Sequence, residues 1–196
     1  LPLLAGVLEW CLFRPRAARF GRLPIAWTAV FIALAIAAAA GYLLLNVERY
    51  AAAYATLGMT PVERLLTEAR VLFAYLHQLL VPQFAAAGLF RDDFIVSRGL
   101  LAPPTTLAAV AGLLIALGGA LALRTRCPRL AAALLFFLAG HVLESTLLPL
   151  ELYFDHRNYL PAALLFWPLA ALALRPSLPH RGLVVTGIAL YALAFP

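Results

Sequence analysis

Residues 24–45 run for 22 positions without one charged side chain. At ~1.5 Å of rise per residue such a helix is roughly 33 Å long, enough to cross the hydrocarbon of a bilayer. Further apolar runs lie at 1–13, 105–123, 130–150, 160–174 and 183–196. Hydrophobic residues make up 64% of the 196 and charged residues 12%, which is too apolar for an ordinary soluble domain. The pattern predicts an all-α, polytopic transmembrane helix bundle of about six spans in one domain. The chain begins at Leu1 and ends at Pro196 inside an apolar run, so both ends read as cuts in a longer protein.

Charge placement gives these runs a direction. All 15 basic residues are Arg. Nine of them fall in the loops 14–22, 124–129 and 175–181, which hold no acid. The regions 46–104 and 151–158 hold the other six Arg and seven of the nine acids. By the positive-inside rule the acid-free loops are cytoplasmic and the mixed regions lie outside. That placement argues against nucleic acid as the reason for the net charge of +6. It fits a multi-pass protein of a bacterial inner membrane, with the lipid bilayer as its first partner. Cys11 and Cys127 both fall near the inner face, where thiols stay reduced.

Within the outer region 46–104, residues 61–81 read as one helix. Thr60 is an N-cap, Pro61 occupies the first helical position and Glu63 completes a capping box. Leu65, Leu66, Ala69, Leu72, Phe73, Leu76, Leu79 and Leu80 form a broad apolar stripe, with Glu63, Arg64, Thr67, Glu68, Arg70 and Gln78 largely off it. The expectation is an outer interfacial helix lying on the membrane rather than crossing it.

Three groups of residues could carry chemistry. His141 and Glu144 sit three apart inside the apolar run 130–150, where an ionisable group needs a partner or a cavity. With Ser145 and Glu151 they suggest a polar stripe descending from the outer face; an interhelical structural pair is the plainer reading. The stretch Glu151-Leu-Tyr-Phe-Asp155-His156-Arg157-Asn158-Tyr159-Leu-Pro161 opens a helix. There a guanidinium fork and a helix N-terminus suit an anion such as phosphate. The candidate binding residues are Glu151, His156, Arg157, Asn158 and Tyr159, together with His141; the plainer reading is a capping and interfacial anchor segment. Finally, Asp92 and Asp93 are paired carboxylates that could act as a base or hold a divalent metal, the one cofactor the residues suggest; a solvated turn is the alternative. Glu144 joins these two aspartates as a catalytic candidate.

Three segments taken in order resemble a family. They are Arg64-Leu-Leu-Thr-x-x-Arg70-Val-x-x-x-Tyr75-Leu-x-x-Leu-Leu-x-Pro82; then Asp92-Asp93-Phe94 with Ser97, Gly99-Leu-Leu and Pro104-Thr-Thr; then Glu151-x-x-x-Asp155-His156-Arg157-x-Tyr159-Leu-Pro161. Together they look like the later membrane part of bacterial GT-C glycosyltransferases related to the transmembrane-and-tetratricopeptide-repeat protein O-mannosyltransferases. The resemblance implies transfer of a sugar from a polyprenyl-phosphate carrier to an acceptor protein or glycan on the outer face. It implies that Arg157 and His156 hold the lipid phosphate. The family's main catalytic acid belongs to an early outer loop that this chain does not contain. Other readings are an O-antigen ligase or polymerase, a transporter or channel using His141 and Glu144 as a relay, and a non-catalytic membrane scaffold.

Overall fold

The computed structural model describes residues 2–13, 23–81, 94–142, 145–146, 148–150, 152–174 and 181–193. Among these, every regular element is helical. In chain order they are α1 (Pro2–Leu8, continued by a π-helical turn Glu9–Phe13), α2 (Leu23–Leu45), α3 (Val47–Leu57), α4 (Pro61–Leu80), α5 (Thr105–Leu123) and α6 (Pro128–His141). A 3-10 turn Asp155–Asn158, α7 (Tyr159–Ala162), α8 (Trp167–Ala173) and α9 (Arg181–Leu193) follow.

The all-helical expectation stands; six spans do not. Only α5 is long and apolar enough on its own to cross a membrane among the described residues. The pair 29–45 and 47–57 passes together but is bent by 78°. The bend has a local cause. Asn46 ends α2 by donating its side-chain Nδ2 to the Tyr42 carbonyl at 2.9 Å, and the chain restarts as α3 in a new direction. The run 130–150 gives a helix of only 14 residues, roughly 21 Å, ending at His141. The run 160–174 breaks at 163–166 into helices of 4 and 7 residues. Continuous hydrophobicity is thus not continuous helix here. Pro168, at the start of α8, opens a new helix instead of extending the last one.

Helix α4 keeps its sequence-expected bounds and capping box. Thr60 accepts from the Glu63 N–H, and Glu63 accepts from the Thr60 N–H at 2.7 Å. Its buried face keeps Ala69 and Leu72 of the expected stripe but also takes in polar residues. Arg64, Thr67 and Glu68 are buried with Val71 and Tyr75, whereas Leu65, Phe73 and Leu80 are exposed. The polar residues go inside because they find partners there, on the segments 94–102 and 150–158.

Helices α5 and α6 form an antiparallel hairpin, with α4 against α5 and α1 against α6. One apolar core, Val71, Leu72, Tyr75, Phe137 and Tyr153, lies between α4, α6 and the 153–154 segment. A second, Cys11, Ala120, Ala131, Ala132 and Leu135, lies at the other end of the hairpin. Small residues there let the backbones approach closely. At α7 the approach is closer still: a Cβ on Gly140 would stand 2.7 Å from Pro161 Cγ and 3.1 Å from its Cα.

Candidate functional site

The buried polar groups gather at the end of the hairpin where α5 begins and α6 ends. Arg64 and Glu68, one turn apart on α4, form an ion pair at 2.7 Å, and both are under 2% exposed. Arg64 also donates through Nη1 to the Leu150 carbonyl, which ties α4 to the segment that follows α6. Burial pushes the Glu68 carboxyl up to about 7, against the opposing pull of Arg64, Arg157 and the Ser145 hydroxyl beside it. Burial likewise lowers Arg64. One carboxylate therefore faces two guanidinium groups, and its Oε2 has no hydrogen-bond partner among the described residues.

A second cluster continues from this pair. The Thr67 hydroxyl donates to the Glu63 carbonyl at 2.7 Å and accepts from the Ser97 N–H at 2.8 Å. The Ser97 hydroxyl in turn accepts from Thr106 at 2.9 Å. Arg70 donates to the Ile95 carbonyl at 2.7 Å and covers the Phe94 ring at 4.9 Å. Tyr153 donates to Gln78 Oε1 at 2.5 Å. Segments 94–106 and 150–158 are in this way both fastened to α4.

The candidate residues divide on placement. His141 is buried at the end of α6, stacked at 5.6 Å on Tyr75. Its Nδ1–H donates to the Phe137 carbonyl at 2.9 Å, since a carbonyl can only accept, which leaves Nε2 as the basic nitrogen of the neutral ring. Arg157 is half-buried, 5.7 Å from the Phe154 ring, and close enough to act electrostatically on Arg64, Glu68 and Tyr75. Asn158 is buried and its Oδ1 lacks a hydrogen-bond partner among the described residues. His156 is exposed, edge-on to Phe154 at 4.1 Å, and Tyr159 is 80% exposed. Asp92, Asp93, Glu144 and Glu151 lie outside the described residues. Among the described residues no group of three or more His, Cys, Asp or Glu could hold a metal ion. The helical register expected to join His141 to Glu151 does not extend that far, because α6 stops at His141.

Beside this end of the hairpin opens a cleft of about 620 Å³ between α1, α2, α4, α5 and α6. Its walls are apolar, with Trp10, Ile32, Leu65, Leu113 and Leu135 among them, and its polar lining comes from His141, Ser145 and Thr146. Ser145 thus faces both the cleft and Glu68.

Comparison with protein-family models, with curated proteins and with solved structures finds no match for this chain.

Proposed function

We propose that this chain is part of an integral membrane glycosyltransferase that moves a sugar from a polyprenyl-phosphate donor to an acceptor on the outer face. One observation carries the reading. The described parts of the three segments that resemble the GT-C enzymes, far apart in the chain, come together along α4: Ser97 bonds Thr67 and Phe154 bonds Tyr75, on the helix that carries the buried Arg64–Glu68 pair and lines an apolar cleft. Arg64 and Arg157 bring guanidinium donors to a site with low dielectric walls, the kind of group that stabilises a departing phosphate.

In this reading Arg157 is the phosphate-binding residue and Arg64 supports it from behind. The acceptor hydroxyl attacks the anomeric carbon, a carboxylate takes its proton, and the bond from that carbon to the phosphate oxygen breaks. The electron pair leaves with the lipid phosphate, where Arg157 stabilises the charge. The cleft is apolar enough for the prenyl chain, and His141 and Ser145 mark its polar end.

The test is transfer by the full-length protein from a polyprenyl-phosphate sugar, wild type against Arg157→Ala, with helicity checked by circular dichroism. Loss of at least a hundredfold in kcat with the fold intact supports the reading. Unchanged transfer, or no transfer from such donors by the wild type, refutes it.

A further inference from the structure

The opposite end of the hairpin has a different chemistry, and the glycosyltransferase reading does not use its arginines. About 18 residues of α5, roughly 27 Å, separate Thr106 in the buried network from Arg124. There the α5–α6 turn carries Arg124, Arg126 and Arg129 and no acid. Arg124 lies over the Trp10 ring at 4.1 Å and Arg129 faces Trp167 at 6.0 Å. The two rings come from the turn after α1 and from α8, so three separate segments build this surface. Arg126 is exposed. Among the described residues no carboxylate pairs with any of the three guanidinium groups.

We propose that this turn is a docking surface for the headgroups of anionic phospholipids. A guanidinium over an aromatic ring is held in place by the cation–π attraction, and its planar fork of donors suits a phosphate oxygen pair. Trp is also the side chain whose apolar body and single N–H suit the headgroup level. Free phosphate has no use for the rest of the surface. Leu121 of α5 is exposed just before the turn, and Leu130 just past it. A lipid offers a phosphate and acyl chains in that same order. The acid nearest in sequence to these rings is Glu9, and three cations against one carboxylate leave the surface cationic.

The experiment uses the full chain with Trp27→Phe, which leaves Trp10 and Trp167 as reporters. It is reconstituted into vesicles containing phosphatidylglycerol or phosphatidylcholine brominated on the acyl chains, and tryptophan quenching gives the relative affinity for the two lipids. The expected result is a several-fold preference for phosphatidylglycerol at low salt. Each arginine contributes roughly fivefold at most, and about 0.5 M salt shrinks the preference toward one. The combined variant Arg124→Gln, Arg126→Gln, Arg129→Gln abolishes it. Should that variant lose its helical circular dichroism, Arg126→Gln alone, which touches no ring, is expected to lower the preference two- to fivefold. Equal quenching by both lipids in the unsubstituted turn overturns the proposal. So does a preference that survives neutralisation of the arginines, or one that inorganic phosphate erases at constant ionic strength.

Discussion

The Tyr75 hydroxyl holds both backbone polar groups of Phe154: it donates to the carbonyl at 3.1 Å and accepts from the N–H at 2.8 Å. A single oxygen on α4 thereby does for residue 154 what a strand partner would do. Tyr75 is fully buried, tilted against Tyr153 at 4.8 Å and stacked on His141 at 5.6 Å. The 3-10 turn that carries His156 and Arg157 begins at the next residue.

Tyr75→Phe keeps the ring and removes the oxygen. The Phe154 N–H loses this acceptor while the carbonyl keeps the Arg157 N–H, at about 1–3 kcal/mol. The expected outcome is a lower unfolding midpoint and, because the turn that carries Arg157 loses this tie to α4, a loss of transfer larger than the loss of helicity. Thermal circular dichroism and donor turnover measured on the same sample check it. Equal unfolding midpoints for the two proteins would show that the hydroxyl does not secure the turn.

The Arg64–Glu68 pair separates fold from function. Arg64→Ala leaves Glu68 buried without its ion-pair partner, which costs about 3–5 kcal/mol. Arg64→Met with Glu68→Leu removes both charges and fills their space, and such replacements are often neutral or stabilising by about 1–4 kcal/mol. The double variant is therefore expected to be folded and inactive, and the single variant poorly folded. Denaturation midpoints rank them; a folded double variant with full transfer would remove the pair from the site.

The pH dependence follows from the raised carboxyl of Glu68. A carboxyl whose folded value lies above its unfolded one binds protons more tightly in the fold, so its contribution to stability falls as pH rises. The window runs from 4.5 to about 7, set by burial that outweighs the pull of Arg64. At pH 6 the folded Glu68 is mostly neutral and its opposing charge is gone, so a phosphate is expected to bind more tightly near pH 6 than near pH 8. Glu68→Gln should flatten both dependences. The check is isothermal titration of a polyprenyl phosphate at the two pH values; an identical slope in wild type and variant would reassign the titrating group.

The helix that carries the candidate site was legible in the residues, but the buried centre of the site was not. The capping box at Thr60 and Glu63 fixed the start of α4 because two short-range hydrogen bonds decide it. The inward face of α4 depended on distant partners. Arg64 and Glu68 looked solvated only because the Leu150 carbonyl that Arg64 meets lies 86 residues away. Their spacing of four along one face was the available signal. The same limit explains the spans. Twenty apolar residues show that a segment can be buried, whereas Asn46 and Pro168 decide where its helix stops.

The close approach of α6 and α7 gives a test of packing beside His141. A Cβ at Gly140 would meet Pro161 at 2.7 and 2.9 Å on the ring and 3.1 Å at its Cα. Neither a proline ring nor its backbone can yield, so Gly140→Ala must push α7 away, at about 1–3 kcal/mol of overpacking. At Gly112 the added Cβ meets only the tip of Phe73, at 2.6 Å, and Phe73 is 38% exposed and able to turn outward. Replacing a helical glycine with alanine also favours the helix by about 1 kcal/mol. Gly112→Ala is therefore expected to be neutral or stabilising, while Gly140→Ala lowers the midpoint and displaces Pro161 together with Arg157 just before it. Paired thermal melts distinguish the two sites: equal midpoints for both variants would mean that α7 does not hold its place against α6.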